Sequence, residues 1–461
     1  METLQTATEP DLAQKDKLLR ILGVGFGVAV VVGGTIGVGI LRSPGAVAAQ
    51  LGSVWLVVLV WTFGGVYALL GANFTAELAT MLPKAGGDYV YAQRAYGNYG
   101  GFVVGWSIWI LNALALGYMA IVFGEYATAL FTPSFTGGVT AFSVSILVLL
   151  TALNWIGLRT GSQTQKLTSL LKTIALLGFV AACFTLGGQN DFSNVQQTTL
   201  PVSGGYFASF VAFILASQLV LGTYAGWNAA VYFAEEDRDP AHNIPRSLLG
   251  GVLLIVAIYL LVNLALLYVL PMEQLAASKF AAADAMSVIF GERSGQILTA
   301  LALLSIIGII NALLMFVPRA LFALGRDGMF LSNATKVNKG GTPVFALAFT
   351  ALPAIVLASI GTFEKLLAIS EFFAVTNTIL LVGSLFILRR REPGLPRPYR
   401  TWGYPFTPLF LLLVSFAIFA GYIFSNPHDS LYAMVALAIS YPIFLLVKSR
   451  KEHSESLPGR S

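Results

Sequence analysis

Two glycine-rich segments carry the chemistry this sequence can do. The first, Gly33-Gly34-Thr35-Ile36-Gly37-Val38-Gly39, places four glycines in seven residues inside an apolar stretch. The second, Gly222-Thr223-Tyr224-Ala225-Gly226-Trp227-Asn228, interrupts another apolar stretch in the same way. Within hydrocarbon, an unwound backbone is tolerated only where it lines a cavity. Each break exposes unpaired amides at one new helix end and unpaired carbonyls at the other. The amides of Gly37, Val38 and Gly39 suit a carboxylate. The carbonyls around Gly33 and Gly34, with those of Gly222 to Ala225, suit an ammonium group. Together they describe a site for a small zwitterion, made from backbone dipoles without importing a formal charge into the membrane. Taken alone, Gly33 and Gly37 also fit close helix packing of the small-xxx-small type; the second break in a matching position favours the site.

Three ionisable residues stand inside apolar runs. Lys172, within Leu170-Leu171-Lys172-Thr173-Ile174, is far from either end of its run, and an intramembrane lysine is a functional candidate by default. A snorkelling or hydrogen-bonded structural lysine is the alternative. Glu125 and Glu371 each lie about two helical turns from one membrane face, where a carboxyl group could carry a proton or gate the site; hydrogen bonding to neighbouring helices is the plainer reading. Glu77 reads as a structural contact at the opposite face. No metal site or hydrolytic triad can be drawn, because the three histidines (His242, His428, His453) fall in loops or the tail and Cys183 is alone. No cofactor and no enzymatic activity are expected. A channel would show a repeated filter segment or rings of charge, which this sequence lacks.

The elements that must position these residues follow from composition. Hydrophobic residues make up 56% of the 461 and charged residues 11%, and the apolar residues fall in blocks of the length that crosses a bilayer. The pattern predicts an all-α membrane protein with helices near 20–42, 53–81, 98–131, 139–157, 164–187, 205–234, 246–270, 295–325, 342–361, 365–388, 405–424 and 430–447. Residues 1–19 and 448–461 read as polar tails around a single transmembrane domain, 20–447. Of the 27 lysines and arginines, only Arg42, Lys279, Arg293 and Lys365 fall on the side opposite the N-terminus, apart from Lys172 within its span. The positive-inside rule therefore predicts that both termini are cytoplasmic. The net charge of +5 reflects topology and attraction to anionic lipid, and no nucleic-acid partner is expected.

The motifs resemble the amino acid–polyamine–organocation (APC) family of permeases over nearly the whole chain. The first-span segment Gly33 to Ile40 is similar to the family's GxxxGxG motif, and Pro83-Lys84-Ala85-Gly86-Gly87-Asp88-Tyr89-Val90-Tyr91 to its loop signature. Glu235-Glu236, Asn243-Ile244-Pro245-Arg246, Arg326-Asp327-Gly328 and Arg397-Pro398-Tyr399-Arg400 follow in the family's order. The resemblance implies a LeuT-type five-plus-five inverted repeat (helices 1–5 about 20–187, helices 6–10 about 205–388) with helices 1 and 6 discontinuous and two further helices at about 405–447. It implies secondary active transport of an amino acid by alternating access at the plasma membrane, with Gly33, Gly34, Thr35, Gly37, Val38, Gly39, Gly222, Tyr224, Ala225, Trp227 and Asn228 around the substrate. In L-type exchangers and their bacterial relatives, a lysine at the place of Lys172 contacts the unwound first span and substitutes for a bound sodium ion, so the resemblance implies sodium-independent transport, with Lys172 a tethered cation that links substrate binding to helix closure. Val38 stands where the family often has serine or threonine, and Gly222 where it often has an aromatic gate. A polyamine or organic-cation antiporter, and a sensor of the same fold, remain open alternatives; the uncharged Asn228 favours a neutral amino acid over a dication, unless Glu125 or Glu371 supplies charge.

Overall fold

A computed structural model describes residues 18–131, 137–187, 205–291, 294–425 and 427–455. Most of the N-terminal tail, and residues 456–461 of the C-terminal one, lie outside the described residues. The described residues form fifteen α-helices. The first apolar run is split into α1 (Val24–Thr35) and α2 (Gly39–Leu51), bent by 46°. Ile36 is extended there, at φ −70° and ψ 105°. The chain then turns at Gly52, whose left-handed φ of 59° suits glycine, into α3 (Val54–Met81). Helix α4 (Asp88–Phe131) is 44 residues long but kinked at Gly97, where φ is 83°. Its first two turns thus form a separate arm that the sequence reading treated as loop.

Helices α5 (Gly138–Ile156) and α6 (Leu158–Leu186) follow. Next comes α7 (Gly205–Tyr224), a turn, and a 3-10 segment (Trp227–Phe233). Helix α8 (Pro240–Val269) opens with proline in its first turn, where the missing N–H costs nothing. Two short helices not foreseen in the sequence, α9 (Met272–Ala277) and α10 (Ala281–Phe290), precede α11 (Gly295–Arg326). The chain ends with α12 (Val344–Ile360), α13 (Phe363–Arg391), α14 (Phe406–Ser425) and α15 (Pro427–Glu455).

Ten helices are long and apolar enough to cross a membrane, or eleven with α1 and α2 taken as one broken span, among the described residues. The molecule is an integral, multi-pass membrane protein. Helix α11 is buried over most of its length, whereas α14 and α15 present Phe406, Phe424 and Leu446 outward. Small residues allow the close approaches that drive association where the solvent is itself apolar: Gly64 of α3 against Val220 of α7, Gly71 against Trp227, and Gly117 of α4 against Leu357 of α12. One end of the bundle carries Arg326, Arg389 and Arg397 and is called here the basic end. There Glu77 of α3 accepts from Arg389 at 2.8 and 2.5 Å and from the Thr401 amide at 2.7 Å, with Arg397 at 3.2 Å. These bonds fix the segment before α14 to α3.

Candidate functional site: the paired helix breaks

The two breaks face one another through bare backbone. A methyl group added to Gly34 would lie 3.4 Å from the Gly226 carbonyl, and one added to Gly226 would lie 2.5 Å from the Gly34 carbonyl. Gly226 sits at φ 101°, a conformation side chains resist. Beside them, the Tyr259 hydroxyl of α8 lies 3.1 Å from both the Thr35 and the Thr223 carbonyls, so one phenol touches both broken helices. Gly34, Gly39, Gly222 and Gly226 are part-exposed and Ala225 is exposed, so the breaks border open space.

The carbonyl end of α1 is occupied by Lys172. Its Nζ donates to the carbonyls of Gly33 and Ile36, both at 2.7 Å, and the side chain is fully buried. The Gly33 carbonyl, read from the sequence as a partner for a ligand's ammonium group, is therefore already in use. Ser169 Oγ, at 2.7 Å, and Gln165 Nε2, at 3.4 Å, hold the Ala29 carbonyl one turn earlier, and side chains of both occupy the place where a Gly33 side chain would be. Asn311 of α11 donates to Gln165 Oε1 at 2.8 Å and accepts from Asn154 at 2.9 Å, extending this polar layer to α5.

The amide end of α2 differs. Val38 occupies its cap position and no side chain caps the first turn, which leaves helix-end amides for an anion. Gly37 packs against Ile309, whose Cδ1 would lie 2.5 Å from an added Cβ, and Gly39 against Thr223 at 3.1 Å. Thr35 Oγ1 is buried without a hydrogen-bond partner among the described residues.

Several residues drawn from the second glycine-rich segment take other positions. Gly222 is still helical; the break lies at Ala225 and Gly226, because an isolated helical glycine costs only about 1 kcal/mol whereas position 226 needs a left-handed backbone. Tyr224 is buried, with its hydroxyl donating to the Trp61 carbonyl at 3.2 Å. Trp227 fills the space beside Gly71. Asn228 donates to Asp88 Oδ2 at 2.9 Å, and Tyr232 donates to the same oxygen at 3.0 Å. Asp88 is buried, and its Oδ1 has no hydrogen-bond partner among the described residues. Glu371 is half-buried beside Gly222, while Glu125 is exposed.

At the basic end the strand-like segments flanking the breaks are tied together. Leu22 pairs in parallel with Asp237, through bonds of 3.0 Å to the Glu236 carbonyl and 3.1 Å from the Arg238 amide. Glu236 forms a buried bidentate pair with Arg319 at 2.5 and 2.8 Å, and the Arg319 guanidinium lies 4.5 Å from the centre of the Phe233 ring. At the other end, α2 and α7 share one side-chain hydrogen bond, Ser43 to Thr223 at 3.1 Å.

A family model described as amino acid permease matches residues 27–446, which includes both breaks and the lysine between them. The chain belongs to the amino acid permease family. Among this permease's relatives, the serine/threonine exchanger SteT of Bacillus subtilis (strain 168) is 30% identical over 440 residues, covering 94% of this chain and 98% of its own length. The b(0,+)-type amino acid transporter 1 of Rattus norvegicus is 29% identical, with 98% and 93% covered. The large neutral amino acids transporter small subunit 2 of Mus musculus is likewise 29% identical, with 93% and 81% covered.

Within the permease, the residues that sequence reasoning passed over are Gly226, Tyr259, Asp88 and the Gln165–Ser169–Asn311 layer. Gly226 stood in the same seven-residue segment, and Asp88 in the loop signature. Nothing in the sequence marked Tyr259, which is one tyrosine in an apolar helix.

Proposed function

We propose that this permease moves amino acids across the membrane by alternating access, without sodium. The observation that carries the proposal is Lys172, whose ammonium group lies 2.7 Å from two carbonyls at the α1 break. A tethered cation there does the electrostatic work of a bound ion and removes the need for one. With the carbonyls of α1 engaged by Lys172 and Tyr259, the substrate ammonium falls to the carbonyl end of α7, and its carboxylate to the amides of Gly37, Val38 and Gly39. The names of the relatives, which are amino acid transporters and exchangers, agree with this assignment.

In this reading α1 with α2 is the first of twelve spans, α7 with its 3-10 continuation the sixth, and the 17-residue α12 the ninth. Two five-helix halves then cross the membrane in opposite senses, as paired broken helices in matching positions suggest, and α14 and α15 follow. The transmembrane domain runs from about 20 to 447. The basic end faces the cytoplasm by the positive-inside rule, at the plasma membrane.

The test is uptake of a radiolabelled amino acid panel into proteoliposomes, with and without internal substrate, in sodium and in choline. Uptake that is equal in both media supports the assignment. A several-fold loss in choline removes Lys172 as the ion substitute. Binding without flux identifies a sensor, and inhibition by decarboxylated amines as strong as by the parent amino acids favours the organic-cation alternative. Lys172→Ala is expected to depress uptake about tenfold or more while the protein remains folded by size-exclusion chromatography.

A further inference from the structure

Glu371 stands next to the empty side-chain position of Gly222. A Cβ built on Gly222 would find Glu371 Oε1 at 3.6 Å and its carboxyl carbon at 3.9 Å, with no other neighbour within 4 Å. Gly222 directly precedes Thr223, whose methyl touches Gly39 at the start of α2, and it lies three residues before the exposed Ala225. The carboxylate therefore faces the last turn of α7 across a space that one methyl group would fill, immediately beside the break. Among the described residues Glu371 makes no ion pair. The ionisable groups that face it are phenols, Tyr118 of α4 and Tyr422 of α14. Among the described residues no cation pairs with it.

An unpaired carboxylate inside a membrane protein is expensive and calls for a counter-charge. A gap on one side of it, bordered by the open space of the breaks, gives that counter-charge a place to come from outside the protein. Resting on the amino acid reading above, we infer that Glu371 and the Gly222 gap form the substrate's side-chain subsite, and that this subsite takes amino acids with a basic side chain, such as lysine or ornithine. The backbone ends at α2 and α7 hold the α-groups, which every amino acid shares. The side chain then runs past Gly222, where an aromatic residue would block it, and its terminal ammonium meets Glu371 in a charge-assisted hydrogen bond.

The experiment compares lysine with norleucine, the uncharged analogue that lacks only the terminal amino group, as competitors of labelled substrate uptake in proteoliposomes. Wild-type protein should favour lysine, and Glu371→Gln should lower the lysine-to-norleucine preference by about tenfold, the range expected for losing one charge-assisted contact. Glu371→Asp should retain a lysine preference. Gly222→Lys supplies a tethered cation opposite the carboxylate and should abolish the preference by another route, which keeps the test sharp if Glu371→Gln does not fold. An unchanged ratio in both Glu371→Gln and Gly222→Lys overturns the inference. So does a wild-type protein that takes up neutral amino acids and ignores lysine, and that outcome leaves the transport assignment standing. Absence of any amino acid uptake or binding instead removes the transport assignment itself.

Discussion

The two ends of the broken helices are held by different forces. At the basic end, a buried arginine–glutamate pair, a parallel backbone bridge and the Asp88 carboxylate with its two side-chain donors tie the 3-10 segment and the residues that follow it to α11, to the residues before α1 and to α4. At the opposite end, α2 and α7 meet through the Ser43–Thr223 hydroxyl pair and glycine-to-threonine packing. Buried polar bonds are specific in geometry and costly to leave half-made, whereas hydroxyl pairs and small-residue packing are exchanged with little penalty. The permease is thus latched at one end and merely closed at the other. Opening at the basic end requires several buried polar partners to be replaced together; at the other, the α2–α7 contact offers one hydroxyl pair among the described residues, beside the packing of Gly45 against the Leu275 and Ser278 carbonyls.

The largest expected effect comes from breaking the latch. Arg319→Ala strands Glu236 in a buried site, and removal of one member of such a pair costs about 3–5 kcal/mol, read as a loss of stability in denaturant unfolding. The double variant Arg319→Met with Glu236→Leu should recover much of it, which would separate charge burial from packing. Tyr232→Phe removes one of two donors to the Asp88 carboxylate and should cost about 1.5–3 kcal/mol in the same assay. Gly226→Ala forces a side chain into a left-handed backbone, at about 1–3 kcal/mol, and against the Gly34 carbonyl. Uptake should fall more than about tenfold in that variant, well beyond the loss in Gly222→Ala, where an added methyl finds ordinary contact distance. The smallest effect belongs to the other end: Ser43→Ala should change stability by less than about 1 kcal/mol. A Ser43→Ala loss as large as that of Arg319→Ala would erase the distinction between the ends.

Much of the architecture was legible because lipid imposes simple rules. Apolar blocks of spanning length read directly as helices, and two glycine clusters in matching positions read as breaks. The exact place of the second break was not legible, since Gly222 and Gly226 look alike until the backbone angle at each is known. Nor was the use of the Gly33 carbonyl itself, although the family resemblance implies that Lys172 contacts the unwound first span. Whether Lys172 reaches that oxygen depends on the rotation of α6 against α1, which no local pattern encodes. Glu236 and Arg319 were both visible as charged residues near a membrane face, yet they lie 83 residues apart, and only the packing of α11 brings them together. The short helices α9 and α10 were hidden because six and ten residues are too few to give a periodic signal.

The phenol of Tyr259 has one consequence for how the breaks move. A tyrosine hydroxyl carries a single hydrogen, while the carbonyls of Thr35 and Thr223 both stand 3.1 Å from it. The two helices therefore share one proton between them. Displacing either helix does not orphan the hydroxyl; it hands the whole bond to the carbonyl that stays behind, so the joint behaves as a toggle whose two positions are each fully bonded. Tyr259→Phe would turn that toggle into a plain apolar contact, and the two helices would lose a shared hydrogen bond about which either can pivot.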